Sequence, residues 1–199
     1  MDTSHPINTL IPSLAGRVLE VLVGTTRPLS GREISRLVPD GASVAGVAVV
    51  LKDLTASGLV SQLEAGNSVL NTLNREHLLA PAILEAVGGH RILIEKLADL
   101  AGSVEPAPMH AILFGSVARR QAGPDSDIDL AFVFPDAADI DAAGASVSQL
   151  ADTLETMTGN HVDALLYSSS EFGLLADVSP DLAEAIRRDG RELLRTNAA

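Results

Sequence analysis

The chain contains no cysteine and no tryptophan, and its four Phe and one Tyr make up only 3% of 199 residues. Without cysteine there can be neither disulfides nor thiolate zinc sites, and the five scattered His show no His-x3-His spacing. Oxygen ligands are the only metal chemistry left. So few aromatics leave little for a platform on which nucleic-acid bases could stack. Runs of eighteen uncharged apolar residues are absent, and Met1-Asp2-Thr3-Ser4-His5-Pro6 lacks the basic start of a secretory signal. The expected setting is therefore the cytoplasm, with no membrane span. No internal repeat or low-complexity tract occurs.

Positive charge is scarce too, and unevenly so. The formal net charge is −12. Residues 1–80 hold 6 Lys and Arg against 7 Asp and Glu, for −1, whereas residues 81–199 hold 8 against 19, for −11. An acidic second half disfavours a broad electrostatic grip on DNA or RNA. The remainder is ordinary: 46% hydrophobic and 20% charged residues, enough for one large or two small globular domains.

What is present is concentrated between Leu113 and Phe134. An apolar strand, His110 to Phe114, runs into Gly115-Ser116, where glycine lets the backbone approach a ligand and serine can both cap a helix and donate to a phosphate. Ten residues separate Ser116 from Asp127-Ile128-Asp129 at the start of a second strand. Alternation along a strand puts Asp127 and Asp129 on one face with Ala131 and Val133, and sends Ile128, Leu130, Phe132 and Phe134 into the core. Two carboxylates roughly 6.5–7 Å apart on one face can hold a pair of Mg²⁺ ions. A calcium loop on Asp125, Asp127 and Asp129 fails, because its sixth position would be Leu130 and its twelfth Asp136 instead of Gly and Glu. Asp125, after Gly123-Pro124, reads as a turn residue.

The spacing Gly-Ser-x10-Asp-x-Asp resembles the signature of the nucleotidyltransferase superfamily related to DNA polymerase β, and within it the minimal nucleotidyltransferases. The resemblance implies that Gly115 and Ser116 grip a nucleoside triphosphate, that Asp127 and Asp129 bind two Mg²⁺ ions, and that a third acid on a neighbouring strand completes the set. Asp163, in the strand-like run His161 to Tyr167, is the candidate for that third catalytic and metal-binding position. Arg119 is a candidate phosphate contact, since a guanidinium matches phosphate oxygens. The family's usual glycine after that arginine is replaced by Arg120, whose role the sequence leaves open.

Ahead of this segment, residues 10–75 read as three helices and a β-hairpin. The first helix follows Ser13 and carries Leu14, Val18, Val21 and Leu22, with Gly24 as its stop. The second opens on the capping box Ser30 to Glu33, buries Ile34, Leu37 and Val38, and is closed by Pro39-Asp40-Gly41. A third, from Ser43, turns Val44, Val47, Leu51 and Leu54 inward and Ala45, Gly46, Val49, Lys52 and Asp53 outward. The hairpin spans Leu59 to Leu63 and Val69 to Leu73 about a turn at Ala65 to Ser68. The arrangement resembles a winged helix-turn-helix, yet no basic residue occurs between Lys52 and Arg75, so duplex DNA is disfavoured and a second copy or a partner protein favoured as the ligand of the apolar face. Residues 76–108 read as a helical connector and linker with Leu93, Leu97 and Leu100 on one stripe. Residues 109–199 form the nucleotidyltransferase domain, with amphipathic helices carrying Val147, Leu150, Ala151, Leu154 and Met157, and Leu182, Ile186, Leu193 and Leu194.

The expected fold is thus α+β, a winged helix joined to a mixed sheet flanked by helices. The expected activity is Mg²⁺-dependent transfer of AMP from ATP to an acceptor hydroxyl, which in antitoxins of this type lies on a partner protein. Two competing readings, a winged-helix transcription regulator that only senses nucleotide and an antitoxin that only binds its partner, remain open at this point.

Overall fold

A computed structural model describes residues 1–39 and 41–194. The chain divides into two compact units, one of residues 5–89 and one of residues 1–4 with 90–199.

In the first unit, α1 (Ile7–Leu10) and α2 (Leu14–Val23) precede a short strand β1 (Leu29–Ser30), α3 (Gly31–Leu37) and α4 (Val44–Ala56). Each main helix begins where a serine accepts an orphan backbone N–H: Ser13 from Ala15, Ser30 from Glu33 in a complete capping box, and Ser43 from Gly46. Strands β2 (Val60–Ala65) and β3 (Ser68–Leu73) form a hairpin closed by Gly66-Asn67, and β1 adds to β3 as a third antiparallel strand. Gly66 supplies the positive φ (+59°) that so tight a turn requires. Helix α5 (Ala80–Val87) covers the same core, in which Val18, Leu19, Leu22, Leu29, Ile34, Val47, Leu51 and Val60 are buried.

Two of the residues expected inside are outside: Leu37 is 56% and Val44 is 49% exposed. Each stands at a helix end, where the chain leaves before a neighbour can cover the side chain. Gly46, expected outward, is half-buried, and a Cβ there would lie 3.2 Å from Leu14; α4 packs on α2 at this point. The second helix ends in the structure at Leu37, and of the expected stop Pro39-Asp40-Gly41 the middle residue lies outside the described residues.

The second unit is built on a four-stranded sheet. Helix α6 (Gly89–Ala101) leads to β4 (His110–Phe114), the one-turn α7 (Gly115–Ala118), β5 (Ile128–Phe134), α8 (Ile140–Thr158) and β6 (Val162–Ser168). Then come the short helices α9 (Ser169–Gly173) and α10 (Leu175–Val178), α11 (Pro180–Asp189) and β7 (Arg191–Glu192). The strand order is β6-β5-β4-β7, with β5 and β6 parallel and the other pairs antiparallel, so the sheet is mixed as expected. One face carries Leu113, Ile128, Leu130, Phe132 and Phe134 against α6 and α8, whose Leu93, Leu97, Val147, Leu150 and Leu154 are buried there. The other face carries Ile112, Phe114, Ala131, Leu165 and Tyr167 against Phe172, Leu175, Leu182 and Ile186 of the last three helices. Both faces of β5 are therefore covered, except at Asp129, which is half-buried.

The expected connector, 76–108, is divided: α5 packs into the first unit and the leucine stripe of α6 into the second. Leu193 and Leu194 belong to no helix. Gly190 turns the chain back after α11, β7 pairs with β4, and Leu193 enters the core under the sheet. The break occurs where helical periodicity predicted continuity, because β4 otherwise has an open edge that the chain can fill. Among the described residues no helix is long and apolar enough to cross a membrane.

Candidate active site

The exit of β4 and the entries of β5 and β6 meet at one end of the sheet. Gly115 has φ +71°, a region open to glycine at little steric cost, and a Cβ on it would lie 2.9 Å from Cγ of Asp129. The turn and the Asp129 carboxylate thus pack with no room for a side chain between them. Ser116 is half-buried as the second residue of α7; the N-cap position falls to Phe114, which makes no side-chain cap, so the capping role expected of Ser116 is not the one it has. Backbone bonds from Arg119 to Gly115 (3.2 Å) and from Gln121 to Ser116 (2.9 Å) close the turn.

Asp127 stands exposed one residue before β5, Asp129 is half-buried on it, and Asp163 lies in register with Asp129 on the parallel neighbour β6. In-register residues of paired strands share a face, so the structure brings all three acids together at the sheet end beside the Gly115 turn. Burial raises the carboxyl pKa of Asp129, and the charges of Asp163 and Asp127 raise it further while Arg119 opposes them. Among the described residues no three or more His, Cys, Asp or Glu converge closely enough to enclose a metal ion. The donor set nonetheless fits a hard cation: three carboxylates within electrostatic reach, with charging of Asp129 disfavoured until a cation offsets its neighbours. Exposed Asp127 and Asp163 have the freedom to turn toward it.

Arg119, at the end of α7, is engaged rather than loose. Its guanidinium is ion-paired with Asp189, the last residue of α11, and its Nε donates to Gln121 Oε1 at 3.1 Å. Arg120 adopts φ +56°, the left-handed conformation for which a glycine would be the natural occupant. Its charge helps to lower the pKa of buried His90.

Three residues that the sequence reading passed over shape the site. Asn160, buried after the left-handed Gly159 that ends α8, donates to the carbonyls of Pro124 (3.1 Å) and Ser126 (2.9 Å) and so fixes the loop into Asp127. His161 lies with Nδ1 2.7 Å from Glu155 Oε1 and Nε2 3.5 Å from Asp163 Oδ1; the bond to Glu155 raises its pKa, and the charges of Glu155, Asp163 and Asp127 add to the shift. Asp189 takes Arg119 and Arg188 together; Arg188 foremost, then Arg119, holds its carboxyl down at about 2. A signal for Asp189 was present in the sequence: an acid just before the Gly190 stop is the wrong charge for a helix C-terminus.

A family model described as Polymerase beta, Nucleotidyltransferase matches residues 95–197. No curated protein matches the chain significantly. Among solved structures, a toxin–antitoxin crystallised with AMP-PNP is 24% identical over 52% of this chain and 74% of that one, at a TM-score of 0.38. A mutant of the toxin–antitoxin MntA-HpeT is 22% identical over the same shares, at 0.37. TrmBL2, an archaeal chromatin protein described with a novel mode of DNA binding, is 11% identical over 94% of this chain and 79% of its own, at 0.32. These likenesses are shallow. The family match covers just over half of the sequence and holds β4, the Gly115 turn and all three acids, and on that ground the chain belongs to the polymerase beta nucleotidyltransferases.

Proposed function

We propose that the protein transfers a nucleoside monophosphate, AMP from ATP, to a hydroxyl of an acceptor, with Mg²⁺ as cofactor and pyrophosphate as the other product. The observation that carries this reading is the close approach of Asp129 to Gly115, with Asp163 in register beside it. That packing puts a backbone turn suited to phosphates directly against a carboxylate whose charge calls for a cation. Nucleotidyl transfer asks the protein chiefly to align an acceptor oxygen with the α-phosphorus and to neutralise charge.

Asp127 and Asp129 would hold two Mg²⁺ ions and Asp163 one of them; bound there, the metal supplies charge neutralisation at the phosphates and acidifies the acceptor hydroxyl. The Gly115-Ser116 turn would receive the β and γ phosphates, leaving the α-phosphorus toward the acids. Asp163, more than half exposed, would face the acceptor and could take its proton as the new phosphate ester forms. The bond from the α-phosphorus to the bridging oxygen breaks, and the electron pair leaves with pyrophosphate.

The N-terminal unit is proposed to be a winged helix-turn-helix, with β2 and β3 as the wing. Its exposed positions favour a protein ligand over DNA: Val49 on α4 is 63% exposed, Leu63 on the hairpin is 62% exposed, and the hairpin carries no Lys or Arg. We infer that the acceptor is a partner protein or a second copy gathered by this surface. The deciding experiment for the chemistry is transfer from α-labelled ATP, with Mg²⁺, to candidate partners and to the chain itself. Incorporation that stops without Mg²⁺ or in Asp127→Asn supports an enzyme; nucleotide binding with no release of pyrophosphate under any of these conditions would leave a sensor in its place.

A further inference from the structure

Asp189 occupies an uncomfortable position. The last turn of a helix presents orphan carbonyls and the negative end of the helix dipole, and a carboxylate there is disfavoured unless cations answer it. Here two do: Arg188 at 2.9 Å and Arg119 from the end of α7. The carboxylate is 5% exposed between them, although the two arginine side chains are 59% and 36% exposed. Gly190 follows, and a Cβ on it would lie 3.0 Å from Ile112 of β4, so the end of α11 is pressed onto the strand that leads into the Gly115 turn.

Arg119 is thereby held at two points, by Asp189 through one terminal nitrogen and by Gln121 through Nε. A guanidinium has five N–H donors in a rigid plane, and two partners leave others free to point at a ligand. Its location is also set: its charge reaches Asp129, which itself abuts Gly115. An arginine on a four-residue helix would otherwise sweep through solvent and lose rotamer freedom on meeting a phosphate.

We propose that Asp189 is a positioning residue, which fixes the Arg119 guanidinium beside the Gly115-Ser116 turn so that it meets the phosphates of the incoming nucleotide already ordered. The end of α11 is then part of the triphosphate grip, although it touches no phosphate itself. This rests on the nucleotide-binding function proposed above.

The test is calorimetry of the full chain with Mg²⁺ and a non-hydrolysable ATP analogue, for the parent, Asp189→Asn, Arg119→Ala and the double variant. Asp189→Asn is expected to weaken binding about tenfold, on the scale of one charge-assisted hydrogen bond, and to add nothing once Arg119 is Ala. Losses that add in the double variant would mark Asp189 as structural and overturn the proposal. Parent-like binding by Asp189→Asn overturns it too, and so does tighter binding, which would make the pair a plug over the phosphate turn. Should Asp189→Asn fail to fold, the exchange of Arg119→Asp with Asp189→Arg keeps an ion pair while moving the guanidinium to the wrong element. That variant is expected to melt like the parent and bind at least tenfold more weakly; full affinity in it refutes the assignment. A parent that binds no nucleoside triphosphate overturns the proposed function and this inference together, whereas a parent that binds while Asp189→Asn is unaffected overturns this inference alone.

Discussion

At Asp129 stability and chemistry pull in opposite directions. Its carboxylate is charged against burial and against Asp163 and Asp127, so a neutral isostere relieves the fold. Asp129→Asn is expected to raise the melting temperature in metal-free buffer and to lower transfer at least a hundredfold, about 2.7 kcal/mol of transition-state stabilisation. Added Mg²⁺ should raise the melting temperature of the parent and not of the variant; equal shifts in both would remove Asp129 from the metal set. Gly115→Ala should mimic the loss of transfer by steric means, since the new methyl group would displace the Asp129 carboxylate. Arg120 offers the reverse test. With φ +56° it bears a conformational cost that glycine avoids, and Arg120→Gly should stabilise the protein by about 1 kcal/mol, a few degrees in a thermal melt. No gain would mean that an interaction of the arginine side chain offsets its backbone.

Among elements, the strands that carry the acids were the most legible in the sequence. Alternation in Ile128 to Phe134 and the Gly-Ser turn are local patterns, and local patterns survive tertiary packing. The Asp163 register with Asp129 was readable only through family likeness, because strand pairing joins residues thirty-four positions apart. Arg119's bond to Asp189 spans seventy positions, and no period or motif encodes it. The exposed Val44 and Leu37 failed for a related reason: periodicity assigns a face to a helix, and cannot say where along its length the cover ends. Loop geometry was opaque too. Asn160 holds the approach to Asp127 through two carbonyls, and Asn160→Ala should lower transfer with little loss of binding affinity for the triphosphate, as judged by a fall in kcat at nearly constant KM. On α4, Val49→Glu should release a partner or a second copy, seen as lighter sedimentation, while transfer to a small model acceptor continues. Sedimentation unchanged from the parent would leave that surface without a role.

For the molecule as a whole, pH acts through groups of opposite sign. His90 is buried with Nδ1 2.9 Å from Thr3 O, and burial above all, then the charges of Arg120 and Arg191, lowers its pKa below 6.5. Its contribution to stability is therefore complete above pH 6.5 and is lost as pH falls through the lower folded value. His161, with its pKa raised, contributes fully below 6.5 and less as pH rises through the folded value. A melt series from pH 7.5 to 5 in His161→Gln should isolate the first effect as a declining melting temperature, and His90→Gln in that background should flatten it. A slope that survives both substitutions would assign the acid sensitivity elsewhere.

The placement of β7 sets a clock on assembly. Strand β4 and the acids of β5 and β6 precede it in the chain, yet the outer edge of β4 stays unpaired until Arg191 and Glu192 arrive. Synthesis runs from the N-terminus and domains fold as units during it, so a nascent chain carries its carboxylates well before it can close the sheet or anchor Arg119. A product cut short ahead of Asp189 would keep Asp127, Asp129 and Asp163 but lack both the β7 edge of the sheet and the carboxylate that holds Arg119, so it is expected to be less stable and to bind a nucleoside triphosphate more weakly than the longer chain.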